Sequence, residues 1–173
     1  MILSIVSNDK DGLQNARFSL GLYDGKAETR AVEETIKEYI KNSAGLYNTG
    51  GFVDILEEIP AVPMIKRRIM KDINMLKGDG LIMVFDKDDA DVTHLEVNNR
   101  MFAEARTREV WAVVLQDAVT RAPVFNIKAI AVNARYLLYK GSLRGEEERW
   151  IVYHVDVYPE GEDIPALNMK PVI

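Results

Sequence analysis

Four carboxylates fall within six residues: Asp86, Asp88, Asp89 and Asp91. Oxygen-rich sets of this kind suit hard cations such as calcium or magnesium. The spacing does not fit a twelve-residue calcium loop. Its fifth position is Ala90, and no glycine follows where the sharp turn needs one. A solvated hairpin tip accounts for the same residues, because aspartate favours turns. The four aspartates are therefore weak candidates for metal ligands, and no metal is expected.

His94 and His154 are the two histidines. Residues two apart on a strand share a face, which pairs His154 with Asp156 and His94 with Glu96. A His–Asp pair can orient an imidazole for general-base work. No Gly-x-Ser-x-Gly elbow supplies a nucleophile to go with it. Both pairs read as sheet-surface pairs, and no catalytic residue is assigned. Gly50-Gly51 and Gly78-Asp79-Gly80 fall short of any phosphate loop, and the second precedes a strand rather than a helix. No cofactor is expected.

Lys66, Arg67, Arg68, Lys71 and Lys77 crowd one side of a helical stretch against a single Asp72. Such a face can neutralise phosphates. No aromatic residues interleave with the charges, so base stacking has no support. Nucleic acid stays possible without being favoured. The plainer reading is a solvated face, or one that meets an acidic patch on a partner subunit. Ile164, Leu167, Met169, Val172 and Ile173 are apolar positions in a segment punctuated by Pro159, Pro165 and Pro171. They either pack back on their own domain or reach a neighbouring subunit as an extended arm.

The frame that must carry these residues is an ordinary globular one. The 173 residues are 47% hydrophobic and 28% charged, with a net charge of −5, enough for one domain with a real core. The acidic balance gives no reason to expect a whole-surface nucleic-acid binder. Cysteine is absent, which excludes disulfides, thiolate metal sites and cysteine nucleophiles and suits a reducing cytoplasm. No window reaches the ~18–20 apolar residues of a membrane span, and the first residues do not form a signal peptide. No membrane partner is expected.

Hydrophobic periodicity predicts strands at 2–7 and 17–23, a helix over Glu28–Ser43 and a loop at Tyr47–Gly51. A short helix or turn is expected at Phe52–Ile59, and a second helix over Met64–Lys77 behind Pro63. A strand Leu81–Phe85, the acidic tip and a return strand Val92–Val97 follow. One long strand is expected from Met101 through Asp117. Ile127, Ile130, Ala131, Ala134, Leu137 and Leu138 make a stripe at helical spacing, which predicts a third helix over Asn126–Lys140. Asn126 would be its N-cap and Gly141 its C-terminal stop. A last strand covers Arg149–Tyr158. The fold class is thus α/β (α+β): a mixed, largely antiparallel sheet with about three helices packed on it. Residues 1–158 form the domain and 159–173 an extended C-terminal arm.

The order of Met64–Lys77, Leu81–Phe85, Met101–Asp117, Asn126–Lys140 and Trp150–Tyr158 resembles that of phage tail-terminator or tail-completion proteins. The likeness lies in element order, not in a diagnostic motif. It implies a structural, non-enzymatic subunit that forms a homo-oligomeric ring, hexameric in that family, against neighbouring tail or neck proteins. It also implies a cytoplasmic place during assembly and a virion or tail particle afterwards. The interface would use Lys66, Arg67, Arg68 and Lys71 with the apolar positions of the arm. The alternatives are a small metal-dependent hydrolase using 86–91 and a nucleic-acid-associated module using the helix at 64–77.

Overall fold

The structure is a computed structural model. It describes residues 25–98, 100–142 and 147–161, with only the backbone at 86–89, 127 and 128. The strands expected at 2–7 and 17–23 and the arm beyond Gly161 lie outside the described residues, Ile164, Leu167, Met169, Val172 and Ile173 among them.

Three helices come first and four strands follow. They are α1 (Gly25–Asn48), α2 (Val53–Glu58), α3 (Pro63–Gly78), β1 (Leu81–Asn98), β2 (Phe102–Asp117), β3 (Pro123–Gly141) and β4 (Arg149–Pro159). The strands form one sheet in the order β1-β2-β3-β4, every pair antiparallel. This is the expected α+β class, with the helices on one face of a largely antiparallel sheet.

Each helix follows from its sequence. In α1 the apolar positions Val32, Ile36, Tyr39 and Ile40 are buried along one stripe, as a 3.6-residue period requires. The loop expected at 47–51 is shorter, because α1 runs on through Tyr47 and Asn48; the turn is 49–51, where Gly50 and Gly51 adopt positive φ, which would strain a side chain. Pro63 opens α3 at its first turn, where its missing N–H costs no helical bond. Ile65, Ile69 and Ile73 then face the sheet.

The sheet face beneath them carries small side chains, Ala103, Ala105 and Ala134, beside Tyr136, Leu138, Trp150 and Val152. Alanines at these positions let the helices approach closely. Burial of each large aliphatic residue here contributes about 1.5–3 kcal/mol. Ladder irregularities interrupt the pairing at Phe85/Lys87, Val92/His94, Trp111/Val113, Leu115/Gln116 and Leu137/Leu138. Bulges bend a strand and add twist, so long strands curl around the helices instead of lying flat.

Two expectations are corrected. Residues 126–140 are part of β3, not a third helix; the third helix is instead the short α2. The same stretch also alternates, with Val132, Ala134, Tyr136 and Leu138 on the core side and Asn133 and Arg135 on the other. Pairing with β2 and β4 on both sides selected that period over the helical stripe. The acidic tip is corrected too. Residues 86–91 continue β1, with Asp86 at a ladder irregularity and 87–91 paired with 108–112 of β2, so 81–85 and 92–97 are one strand and not two. The central stretch 108–158 is therefore a β-meander.

Candidate functional site: two grooves flanking one helix

The inner face of β2 holds a buried carboxylate. Thr107, Glu109 and Trp111 lie on the face that Ala103 and Ala105 begin, since strand neighbours alternate. Glu109 is 4% exposed. Its Oε1 accepts from Thr107 Oγ1 at 2.6 Å and from the Tyr136 hydroxyl at 2.6 Å, and its Oε2 accepts from Trp111 Nε1 at 3.0 Å. Tyr39 of α1 meets Tyr136 edge-on, with ring centroids 5.7 Å apart. Burial pushes the Tyr136 phenol well above its ordinary value, and the Glu109 charge adds to this. Burial also raises Tyr39 to about 12. Both phenols therefore stay protonated at neutral pH, and Tyr136 serves Glu109 as a donor. Glu109 was not anticipated from sequence. The available signal was an acidic residue on the apolar side of an alternating strand.

Outside this network α3 has a groove on each side. The first, of about 700 Å³, lies between α1, α3 and β4. Tyr39, Ser43 and Tyr47 line it from α1, Arg68 and Asp72 from α3, and residues 153–158 from β4. The Tyr47 hydroxyl donates to Asp72 Oδ2 at 3.4 Å. Burial, then the Asp72 charge, raises that phenol to about 12. His154 Nε2 is 2.8 Å from Asp156 Oδ1, and Arg135 bonds the other oxygen of the same carboxylate. Burial raises the Asp156 pKa, but the Arg135 and His154 bonds outweigh it, so the group titrates below the usual range. The His154–Asp156 pair expected from spacing thus exists, and Arg135 holds its carboxylate to the sheet.

The second groove, of about 690 Å³, lies between α2, α3 and the start of β4. Leu56, Ala61, Met70 and Met75 supply apolar wall, and Lys66, Arg67, Lys71 and Arg149 supply charge. The basic face read as one patch is therefore divided. Lys66, Arg67 and Lys71 line this groove, and Arg68 lines the other. Lys77 joins neither and donates to the Gly50 carbonyl at 3.3 Å.

The remaining candidates are scattered. His94 and Glu96 lie exposed on β1, opposite Arg106 and Glu104. The backbone of Asp86, Asp88 and Asp89 lies in β1, and the side chain of Asp91 is exposed. Among the described residues no three His, Asp or Glu side chains cluster as metal ligands. Among the same residues no helix is long and apolar enough to cross a membrane.

One backbone feature was also missed. β4 pairs with β3 only over 132–141, and the Glu160 amide closes on the Ala131 carbonyl. From Pro123 to Ile130, β3 has β2 on one side and no ladder partner among the described residues on the other. Val124 and Phe125 there are 60% and 58% exposed, and Val119 in the adjoining turn is 90% exposed. Pro123 at the first residue of this edge is where a strand tolerates proline.

No protein-family model matches the chain, and no curated protein matches it. Among solved structures the chain is similar to the intermembrane-space region of the chloroplast protein ARC6. The TM-score is 0.60 at 14% identity, covering 76% of this chain and 96% of that one. A likeness at that identity is a likeness of fold, and it agrees with the curled sheet and its helical face.

Proposed function

We propose that this protein is a non-enzymatic structural subunit that self-associates through the open edge of β3. The observation that carries the reading is the run Pro123–Ile130, which has no ladder partner beyond β2 among the described residues, with its exposed Val124 and Phe125. An unprotected edge strand presents backbone donors and acceptors to another strand. At ~3.3 Å per residue this run offers roughly 25 Å of pairing length. Val119, Val124 and Phe125 add apolar surface where such a contact would close.

The same edge on two copies pairs antiparallel about a two-fold axis, an isologous contact that gives a dimer. A ring of the tail-terminator kind needs a different, head-to-tail contact, such as the β1 edge of one copy against the β3 edge of the next. We favour the dimer because the Asn48 side chain already occupies part of the β1 edge. Its Nδ2 donates to the Phe85 carbonyl and its Oδ1 accepts from the Phe85 amide at 2.7 Å. Multi-angle light scattering from low to high micromolar concentration tests this. The expected result is a monomer–dimer shift that the charged variants Val124→Lys and Phe125→Glu abolish. A monomer at every concentration refutes self-association. A stable hexamer refutes the dimer in favour of the ring.

A further inference from the structure

We propose that the groove between α2, α3 and Arg149 binds a small anionic amphiphile, an acyl chain ending in a carboxylate or a phosphate monoester. Its volume of about 690 Å³ lies within the ~300–1,000 Å³ of small-molecule sites. The lining has two parts that match the two ends of such a molecule. Leu56, Ala61, Met70 and Met75 provide the apolar part, and the two methionines have side chains that adapt to a chain of variable shape.

Among the described residues the charged part is one-sided: Lys66, Arg67, Lys71 and Arg149 against Glu57. The α3 residues reach the groove in two ladders, 66-70-74 and 67-71-75, since residues four apart share a helix face. Each ladder carries cationic and methionine positions together, which sets charge beside apolar wall along the whole groove.

Arg149 brings a cation to the groove from the start of β4. Its Nε is closed to solvent and has no hydrogen-bond partner among the described residues, so a head group in the groove would meet its terminal guanidinium nitrogens. Arginine also suits this task because its planar fork matches carboxylate and phosphate geometry. Lys66 is partly committed, since its Nζ donates to the Glu57 carbonyl at 2.9 Å. Arg149 and Lys71 are thus the main head-group contacts. Among the described residues no aromatic side chain lines the groove, so they offer no stacking platform of the kind a single-stranded nucleic acid uses.

Titration calorimetry on the full chain, below the micelle concentration of each probe, tests the site. Decanoate and decyl phosphate represent the two head groups, decanol the chain alone, and inorganic phosphate the head alone. The expected result is saturable 1:1 binding per chain of decanoate, decyl phosphate or both. Decanol should bind at least tenfold more weakly, and phosphate should give no measurable heat. Arg149→Met and Lys71→Glu should each weaken binding about tenfold or more, while Lys37→Glu on the exposed side of α1 leaves it unchanged. Melting curves confirm that each variant is folded, and Lys71→Glu carries the test if Arg149→Met is not. No saturable binding of either anion overturns the proposal. So does equal binding of decanol, or binding that Lys71→Glu leaves intact.

Discussion

Replacing Glu109 by glutamine should cost about 2 kcal/mol of stability, and the loss should be traceable to one neighbour. The two carboxylate oxygens have different partners. Oε1 takes both hydroxyls, from Thr107 and Tyr136, and Oε2 takes the Trp111 indole. A glutamine with its carbonyl at the first position keeps both hydroxyl bonds. Its amide then turns N–H toward the Trp111 N–H, so one bond is lost and two buried donors face each other. Each unmade buried donor costs about 1–3 kcal/mol. Glu109→Ala removes all three bonds and should cost about 4 kcal/mol or more. Trp111→Phe removes the opposing donor, so the double variant with Glu109→Gln should be less unstable than the sum of the singles by about 1–2 kcal/mol. Urea unfolding at fixed, low protein concentration measures all four species, with the concentration held constant because association shifts apparent stability. Additivity within about 0.5 kcal/mol would refute the assignment of Trp111 as the partner of Oε2. A change in Glu109→Ala of under about 1 kcal/mol would refute the buried network itself.

Three further outcomes follow from the same geometry. Tyr39 is 9% exposed and raised to about 12, with Tyr136 also raised. The unfolded chain therefore releases these protons first, and stability should fall as pH rises from ~10 through the folded values. Tyrosinate absorbance followed beside circular dichroism should show both phenols ionising only as the chain unfolds. Glu28 accepts from Lys140 Nζ at 2.5 Å and from Trp150 Nε1 at 2.9 Å, and the Lys140 bond leads in holding its pKa below the ordinary value. Its contribution is present above the unfolded carboxylate range and is lost as pH falls through the depressed folded value. Glu28→Gln should accordingly cost about 1 kcal/mol at pH 7 and nothing at pH 2, read from denaturant midpoints at the two pH values. Leu138→Ala, at a fully buried position, should cost about 2–5 kcal/mol in the same assay.

The helices were legible because their signals are local. Pro63 at a first turn, the Ile65–Ile69–Ile73 stripe and the α1 face need no partner to be read. The long strand β2 was legible for the same reason. Residues 126–140 were not, because their alanines and leucines satisfy both a helical and a strand period. Only the neighbours Ala103–Trp111 and Ile151–Tyr158 decide between the two. The acidic run at 86–91 misled in a similar way. A cluster of aspartates reads as a turn, and pairing with 108–112 overrode that preference.

The candidate sites show the same limit. His154 with Asp156 was readable from strand spacing, but the clamp from Arg135 comes from another strand. The basic residues of α3 were found, and their division between two grooves was not, because the helix packs with its ridge facing outward between α1 and α2. Glu109 and the edge at 123–130, which no described strand covers beyond β2, depend on which strands are neighbours and where β4 stops, and no local pattern encodes either.

Amide hydrogen exchange at residues 123–130, compared at low and high protein concentration, tests the assembly reading most directly. Self-association through the β3 edge predicts amides that exchange fast in dilute protein and become protected as concentration rises, with Val124→Lys removing that protection. Exchange at 123–130 that is equally fast at all concentrations, while the chain is dimeric by mass, would contradict it and place the contact elsewhere.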